Sequence, residues 1–98
     1  MDRLSEEEIA SKLTSLPTWT KNGKMLEKRY RFGSFFDAIQ FVNRVAELAE
    51  HMNHHPFISI DYKVVSIRLT SWHAGGLTVL DFDQAAMLDQ IYDSDGVH

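Results

Sequence analysis

The chain has 98 residues, of which 44% are hydrophobic and 24% charged, the length of one domain and the composition of a globular fold. Its formal net charge of -4 argues against a nucleic-acid surface, which needs clustered Lys and Arg. It contains no cysteine, which excludes disulfides, thiolate metal sites and thiol nucleophiles. A core of this size is modest, so association of subunits is expected to add to stability. No signal peptide or membrane-spanning run is visible, so the cytoplasm is the expected location.

Ser5 and Glu8 form a capping box that opens a first helix, with Leu4 and Ile9 placed as its hydrophobic staple. Ile9, Leu13 and Leu16 share one helical stripe, and Pro17 is expected to end it. Trp19 to Lys21 and Met25 to Phe32 flank Asn22-Gly23, a strong hairpin signal. Leu26, Tyr30 and Phe32 fall on one face of that hairpin. The basic residues Lys21, Lys24, Lys28, Arg29 and Arg31 read as its solvated face.

Ser34 caps a second helix whose core stripe is Phe35, Ala38, Ile39, Val42, Val45, Ala46 and Ala49. Phe41 and Leu48 widen that stripe beyond one amphipathic face, so the sheet or another subunit is expected to cover the excess. Ile58, Ile60 and Tyr62 alternate as a third strand, and Val65, Ile67 and Leu69 alternate with Ser66, Arg68 and Thr70 as a fourth. Ala74-Gly75-Gly76 is a permissive turn. Thr78 caps a third helix that buries Phe82, Ala85, Leu88, Ile91 and Tyr92, and the tail from Asp93 to His98 is expected to fray. The order α-β-β-α-β-β-α predicts a single α+β domain, residues 1-98, with a four-stranded antiparallel sheet and helices packed on one face.

The chemistry concentrates in Glu50-His51-Met52-Asn53-His54-His55-Pro56. Pro56 disfavours a helical His55 and forces a stop, so a carboxylate and three imidazoles gather at a helix-to-strand junction. Imidazoles exchange protons near neutrality, and Glu50 lies four residues before His54, on the same helix face. His51 and His55 have metal-ligand spacing but lack the intervening Glu of a zinc motif, and His51 alone reads as an exposed residue near a helix C-terminus. His73 stands beside the glycine turn, where it is either a surface histidine or a site residue. Trp72 is expected in the core, the default for Trp, with a stacking platform as the alternative. Asp81, three residues after Thr78, reads first as a capping partner.

Ala46-Glu47-Leu48-Ala49-Glu50, His54-His55-Pro56, Tyr62-Lys63-Val64-Val65 and Gly75-Gly76-Leu77-Thr78 with Asp81 together resemble the pterin-4α-carbinolamine dehydratase family. Tyr30-Arg31-Phe32, the helix from Phe35 to Val45 and the tail helix with Ala85, Ala86 and Asp89 extend the resemblance over nearly the whole chain. It implies dehydration of 4a-hydroxytetrahydrobiopterin, or a related pterin, to the quinonoid dihydropterin, with no metal or organic cofactor. It also implies a homodimer or homotetramer and, as partner, a small pterin rather than nucleic acid or membrane. Residue by residue, it implies His54 as the acid/base and His55 as the second histidine of the pair, usually substrate-binding; with His73 these are the candidate catalytic set. Glu50, which matches the acidic residue supporting the first histidine, joins Pro56, Trp72 and Asp81 in substrate binding.

The sequence departs from the family at two places. Trp72 occupies the position where the family usually has histidine, and histidine appears one residue later as His73. Within a strand that shift moves the side chain to the opposite face, and at a strand end or bulge the constraint is looser. Ile58 stands where an aromatic residue is usual. The rival to an enzyme is a non-catalytic binding or dimerisation module of the same fold.

Overall fold

The computed structural model describes residues 2-95. Helix α1 (Glu6–Leu13) opens with Ser5 Oγ accepting from the Glu8 N–H and the Glu8 carboxylate accepting from the Ser5 N–H, a complete capping box. Those bonds hold the Glu8 carboxyl below its ordinary value. The helix ends at Leu13, before Pro17. The N–H groups of Thr14, Ser15 and Leu16 each reach back three residues, so the chain tightens and leaves the helix without needing the proline.

Strands β1 (Thr20–Asn22), β2 (Met25–Arg31), β3 (Phe57–Asp61) and β4 (Val64–Leu69) form one antiparallel sheet in the order β1-β2-β4-β3. Its register aligns Leu26 with Leu69, Lys28 with Ile67 and Ile58, and Tyr30 with Val65 and Ile60. Leu26, Tyr30, Val65, Ile67 and Leu69 from that face are buried. The opposite face carries Glu27, Arg68 and Phe57 in one row and Arg29, Ser66 and Ser59 in the next. The β3–β4 connection needs only Tyr62 and Lys63, because Asp61 pairs with Val64. Tyr62 adopts the left-handed φ of +52° and is exposed, so it is a turn residue and not the last inward residue of β3.

Helices α2 (Phe35–Met52) and α3 (Val79–Asp95) supply the second layer of the core. Ala38, Phe41, Val45 and Ala49 form the buried stripe of α2, with Val42 and Leu48 packed beside it. Phe41 thus lies at the centre of the stripe rather than at its margin, while Phe35 and Ala46 are exposed. Helix α3 buries Phe82, Ala85 and Leu88. It continues through Asp93, where fraying was expected, because Asp95 pairs with Arg44 and Tyr92 donates to the Arg31 carbonyl at 2.7 Å. The rest of the expected frayed tail lies outside the described residues.

Lys28 departs from the expected solvated basic face. It lies in an inward row of β2, and its ammonium meets the Asp89 carboxylate of α3 at 2.6 Å. Tyr30 donates to the same carboxylate at 2.6 Å, and the Trp19 indole N–H lies 3.2 Å from both its oxygens. A single carboxylate therefore ties the β1 entrance and β2 to the second half of α3.

Asp89→Ala should lower stability by about 3 kcal/mol, since it leaves a largely buried ammonium, a buried phenol and an indole without their acceptor. Thermal unfolding followed by circular dichroism measures this; a loss below about 1 kcal/mol would show that water satisfies the three donors. Burial, and then the bond to Asp89, push the Tyr30 hydroxyl far above the ordinary tyrosine value. A pKa raised on folding contributes stability that is complete below the unfolded value of about 10 and falls as pH rises past it. Urea midpoints between pH 8 and 11 should therefore fall more steeply for the wild type than for Tyr30→Phe, and parallel curves would exclude Tyr30 as the source.

Candidate active site

The site begins with how α2 stops. Asn53 takes the left-handed conformation (φ 51°, ψ 44°), and its N–H bonds back to the Ala49 and Glu50 carbonyls. The His54 N–H bonds to Ala49 O at 3.0 Å. The helix therefore ends at Met52, ahead of the proline, by a left-handed cap that Asn tolerates better than most side chains. His54 is thrown out of the helical path toward the start of α3.

There the His54 Nε2 lies 2.6 Å from Asp81 Oδ1. Asp81 is wholly buried and the His54 side chain is 12% exposed. The other carboxylate oxygen of Asp81 accepts from Ser71 Oγ at 2.7 Å and from the Thr78 N–H at 2.9 Å. Asp81 also stands in the first turn of α3, where the helix dipole favours negative charge. Expected as a capping partner, it does cap Thr78, and the same carboxylate reaches His54. The backbone of His54 is fixed as well: its carbonyl accepts from the buried Gln84 Nε2 at 2.8 Å.

Those contacts assign the protons. An ionised carboxylate is acceptor-only, so Nε2 of His54 carries the hydrogen toward Asp81. The free ring nitrogen is Nδ1, an acceptor in neutral imidazole and a donor in imidazolium. This is the arrangement of an oriented proton-transfer group.

The remaining expected site residues fall elsewhere. Glu50 does not meet His54; it pairs with His55 Nε2. The reason is the early helix stop, which removes the four-residue spacing of Glu50 and His54 from a common face. The Glu50 and His55 side chains are 75% and 57% exposed, so this rim pair adds little to stability. His51 is exposed and Pro56 half-buried. Among the described residues no group of three or more His, Asp or Glu is placed to hold a metal ion, so the His51 and His55 spacing finds no further ligand.

Trp72 is not a core residue: it is 71% exposed. It sits in a 3₁₀ turn, Trp72–Ala74, with its ring edge-to-face against Phe57 at 6.1 Å, and the Arg68 guanidinium lies over Phe57. His73 belongs to the same turn and is exposed. Because β4 ends at Leu69, the strand rule of opposite faces does not govern residues 72 and 73. A cavity of about 370 Å³ opens beside Trp72, walled also by Met25, Thr70, Ser71, Gly75 and Gly76. Ser71 thus touches both this cavity and Asp81. Neither Ser71 nor Gln84 was singled out from the sequence; the available signals were Ser71's place just before Trp72 and Gln84's position one turn after Asp81.

A profile of the family described as Pterin 4 alpha carbinolamine dehydratase matches residues 2-91. A protein of Picosynechococcus sp., provisionally named pterin-4-alpha-carbinolamine dehydratase, is 44% identical over 89 residues, which are 91% of this chain and 97% of that one. A similarly named protein of Sulfurisphaera tokodaii is 38% identical over 93% of this chain and 98% of its own. A crystal structure described as a transcriptional coactivator/pterin dehydratase from Brucella melitensis superposes with a TM-score of 0.89, at 29% identity, over 93% of this chain and 99% of that one. A pterin dehydratase-like protein identified as a RuBisCO assembly factor in the alpha-carboxysome gives a TM-score of 0.67 at 30% identity, over 83% of this chain and 93% of its own.

The left-handed cap makes a prediction. Asn53→Gly should leave stability within about 0.5 kcal/mol, whereas Asn53→Val should cost at least about 1–2 kcal/mol, because a β-branched residue resists that conformation. Urea unfolding decides: equal midpoints for the two variants would show that the cap is not strained by side-chain type.

Proposed function

The chain belongs to the pterin 4 alpha carbinolamine dehydratase family, and from that premise we propose that it dehydrates a 4a-hydroxytetrahydropterin, such as 4a-hydroxytetrahydrobiopterin, to the quinonoid dihydropterin. The observation that carries the reading is the His54–Asp81 pair, a nearly buried imidazole oriented by a buried carboxylate. The reaction breaks the C4a–O bond. The leaving hydroxide takes a proton and departs as water, N5 gives up its proton, and the electron pair of the N5–H bond becomes the new C=N bond. His54, with Nδ1 free, is the acid/base for this exchange. His55, steadied by Glu50, and the exposed His73 are the candidates for a second proton carrier. Trp72 offers an aromatic face for a flat heterocycle beside the cavity, and the half-buried Pro56 is a second candidate wall; Asp81, expected in the binding set, is wholly buried and acts through His54 instead of touching a ligand.

Two further elements belong to this reading. Phe35, Phe36, Ile60 and Tyr62 leave apolar surface exposed, which supports a homodimer or homotetramer. No helix among the described residues is long and apolar enough to cross a membrane, which accords with action in the cytoplasm. A second reading, a non-catalytic pterin-binding or interaction module, is supported by the same exposed aromatic surface and by the likeness to a neighbour described as an assembly factor.

Stopped-flow dehydration of freshly generated 4a-hydroxytetrahydropterin tests both. The wild type should accelerate the spontaneous reaction, and His54→Ala should lose about 10²–10⁴ in rate while remaining folded. A comparable loss in His73→Ala would make His73 the second carrier. A loss confined to His54→Ala would leave that task to His55 or water. No acceleration by a folded, oligomeric wild type would reject the enzyme reading in favour of the module.

A further inference from the structure

Ser71 is held with little freedom. Its carbonyl accepts from the N–H groups of Ala74, Gly75 and Gly76, and its own N–H bonds to the Gly76 carbonyl. This knot requires Gly75 in a left-handed conformation, φ +76°. It is also closed from outside: a Cβ on Gly76 would fall 2.8 Å from Cδ of Arg3, and Leu4 of the same segment donates to the Leu77 carbonyl at 2.8 Å. The hydroxyl of Ser71 is consequently presented to Asp81 by backbone rather than by a mobile loop.

Its hydrogen bonds have one consistent direction. The Leu80 N–H donates to Thr78 Oγ1 at 3.2 Å. Thr78 Oγ1 and Ser71 Oγ are 2.9 Å apart, and Ser71 Oγ lies 2.7 Å from Asp81 Oδ2. Asp81, as a carboxylate, can only accept, so Ser71 donates to it and must accept from Thr78. The chain of donors therefore runs from Leu80 through Thr78 and Ser71 to Asp81, and meets there the donor from His54.

We propose that Ser71 is a positioning residue that acts through Asp81 to hold His54 in its Nε2-protonated tautomer, leaving Nδ1 for the substrate. Two consequences follow from its geometry. Ser71 and the Thr78 N–H together occupy Asp81 Oδ2, so Oδ1 alone is presented to the ring of His54, which fixes the plane and direction of that imidazole. Ser71 also lines the cavity beside Trp72, so a ligand seated there touches the residue that orders the proton-transfer pair.

The catalytic consequence rests on the dehydratase reading, but the tautomer does not, and the two are separated by measuring both. Long-range ¹H–¹⁵N spectra of the imidazoles, recorded without any pterin, give the tautomer of His54 in the wild type, Ser71→Ala and Ser71→Thr. The expected result is a single Nε2–H pattern in the wild type, a mixed or exchange-broadened pattern in Ser71→Ala, and recovery in Ser71→Thr, which restores a donor. In stopped-flow dehydration, kcat should fall about tenfold in Ser71→Ala with KM little changed and recover in Ser71→Thr, the loss expected for one hydrogen bond made to a charged group. An unchanged His54 pattern in Ser71→Ala overturns the proposal. A Ser71-dependent pattern in a protein with no dehydration activity sustains it while rejecting the enzyme reading. Ser71→Cys, of similar size but a weak donor, makes the same comparison if the alanine variant does not fold.

Discussion

The buried carboxylate of Asp81 is the constraint around which the site is built. Removing an ion from water costs several kcal/mol even after relaxation, so a carboxylate with no exposure must be met by donors. Its three donors come from different parts of the chain: the segment leaving α2 supplies His54, the turn after β4 supplies Ser71, and the start of α3 supplies the Thr78 N–H. None of these segments is regular structure at the contact point, and each is shaped by a local device. Asn53 turns the chain after α2 through a left-handed residue, Gly75 does the same after β4, and Thr78 begins a helix. The conformational freedom of three loops is thus spent on satisfying one charge, and the ordered imidazole is the result.

Helix α3 carries a second, partly buried carboxylate further along its length. Asp89 gathers Lys28, Tyr30 and Trp19, while Phe82, Ala85 and Leu88 fill the apolar stretch between the two carboxylates. Apolar packing alone would tolerate small slides of a helix on a sheet, because it has no direction. Directional bonds at both ends do not. Buried ion pairs are weak sources of net stability, and their best-attested use is to fix register. Here the register matters, since a slide of α3 by even a fraction of a turn would withdraw Asp81 from His54. The structural cluster at Asp89 and the chemical cluster at Asp81 therefore share one rigid body.

Much of the fold was legible because its signals are local. The Ser5 and Glu8 box, the first hairpin (its turn falls at Gly23-Lys24, one residue after the expected Asn22-Gly23, because Asn22 pairs with Met25), the alternation of Val65, Ile67 and Leu69, and the element order all depend on neighbours within a few residues. The errors share the opposite cause. Lys28 looks solvated in the sequence because nothing near it reveals Asp89, sixty-one residues away. The average behaviour of tryptophan favours the core for Trp72, whereas the early end of β4 leaves it on the surface. The helical spacing that would pair Glu50 with His54 is interrupted by the left-handed Asn53. The cluster of candidate site residues was visible as a motif, but the pairing inside it, His54 with Asp81 and His55 with Glu50, is tertiary and had no local trace.

The displaced histidine is best weighed by the proton balance of the proposed reaction. Dehydration consumes one proton at the departing oxygen and releases one at N5, so the pterin needs no net proton. N5 and C4a share a bond, which places the proton that is lost and the group that needs one within a few ångströms of each other. A second imidazole divides these tasks between two residues. A single one can perform both in turn, provided that one ring nitrogen is free and the ring is held still while the proton passes. The neutral ring can take the N5 proton at Nδ1 and return it to the leaving oxygen, with Asp81 steadying the imidazolium that exists in between. What such a design demands is orientation more than additional titratable groups. The bonds that converge on His54, from Asp81 to its ring and from Ala49 and Gln84 to its backbone, meet that demand, and they make Trp72 at the usual histidine position compatible with the chemistry rather than evidence against it.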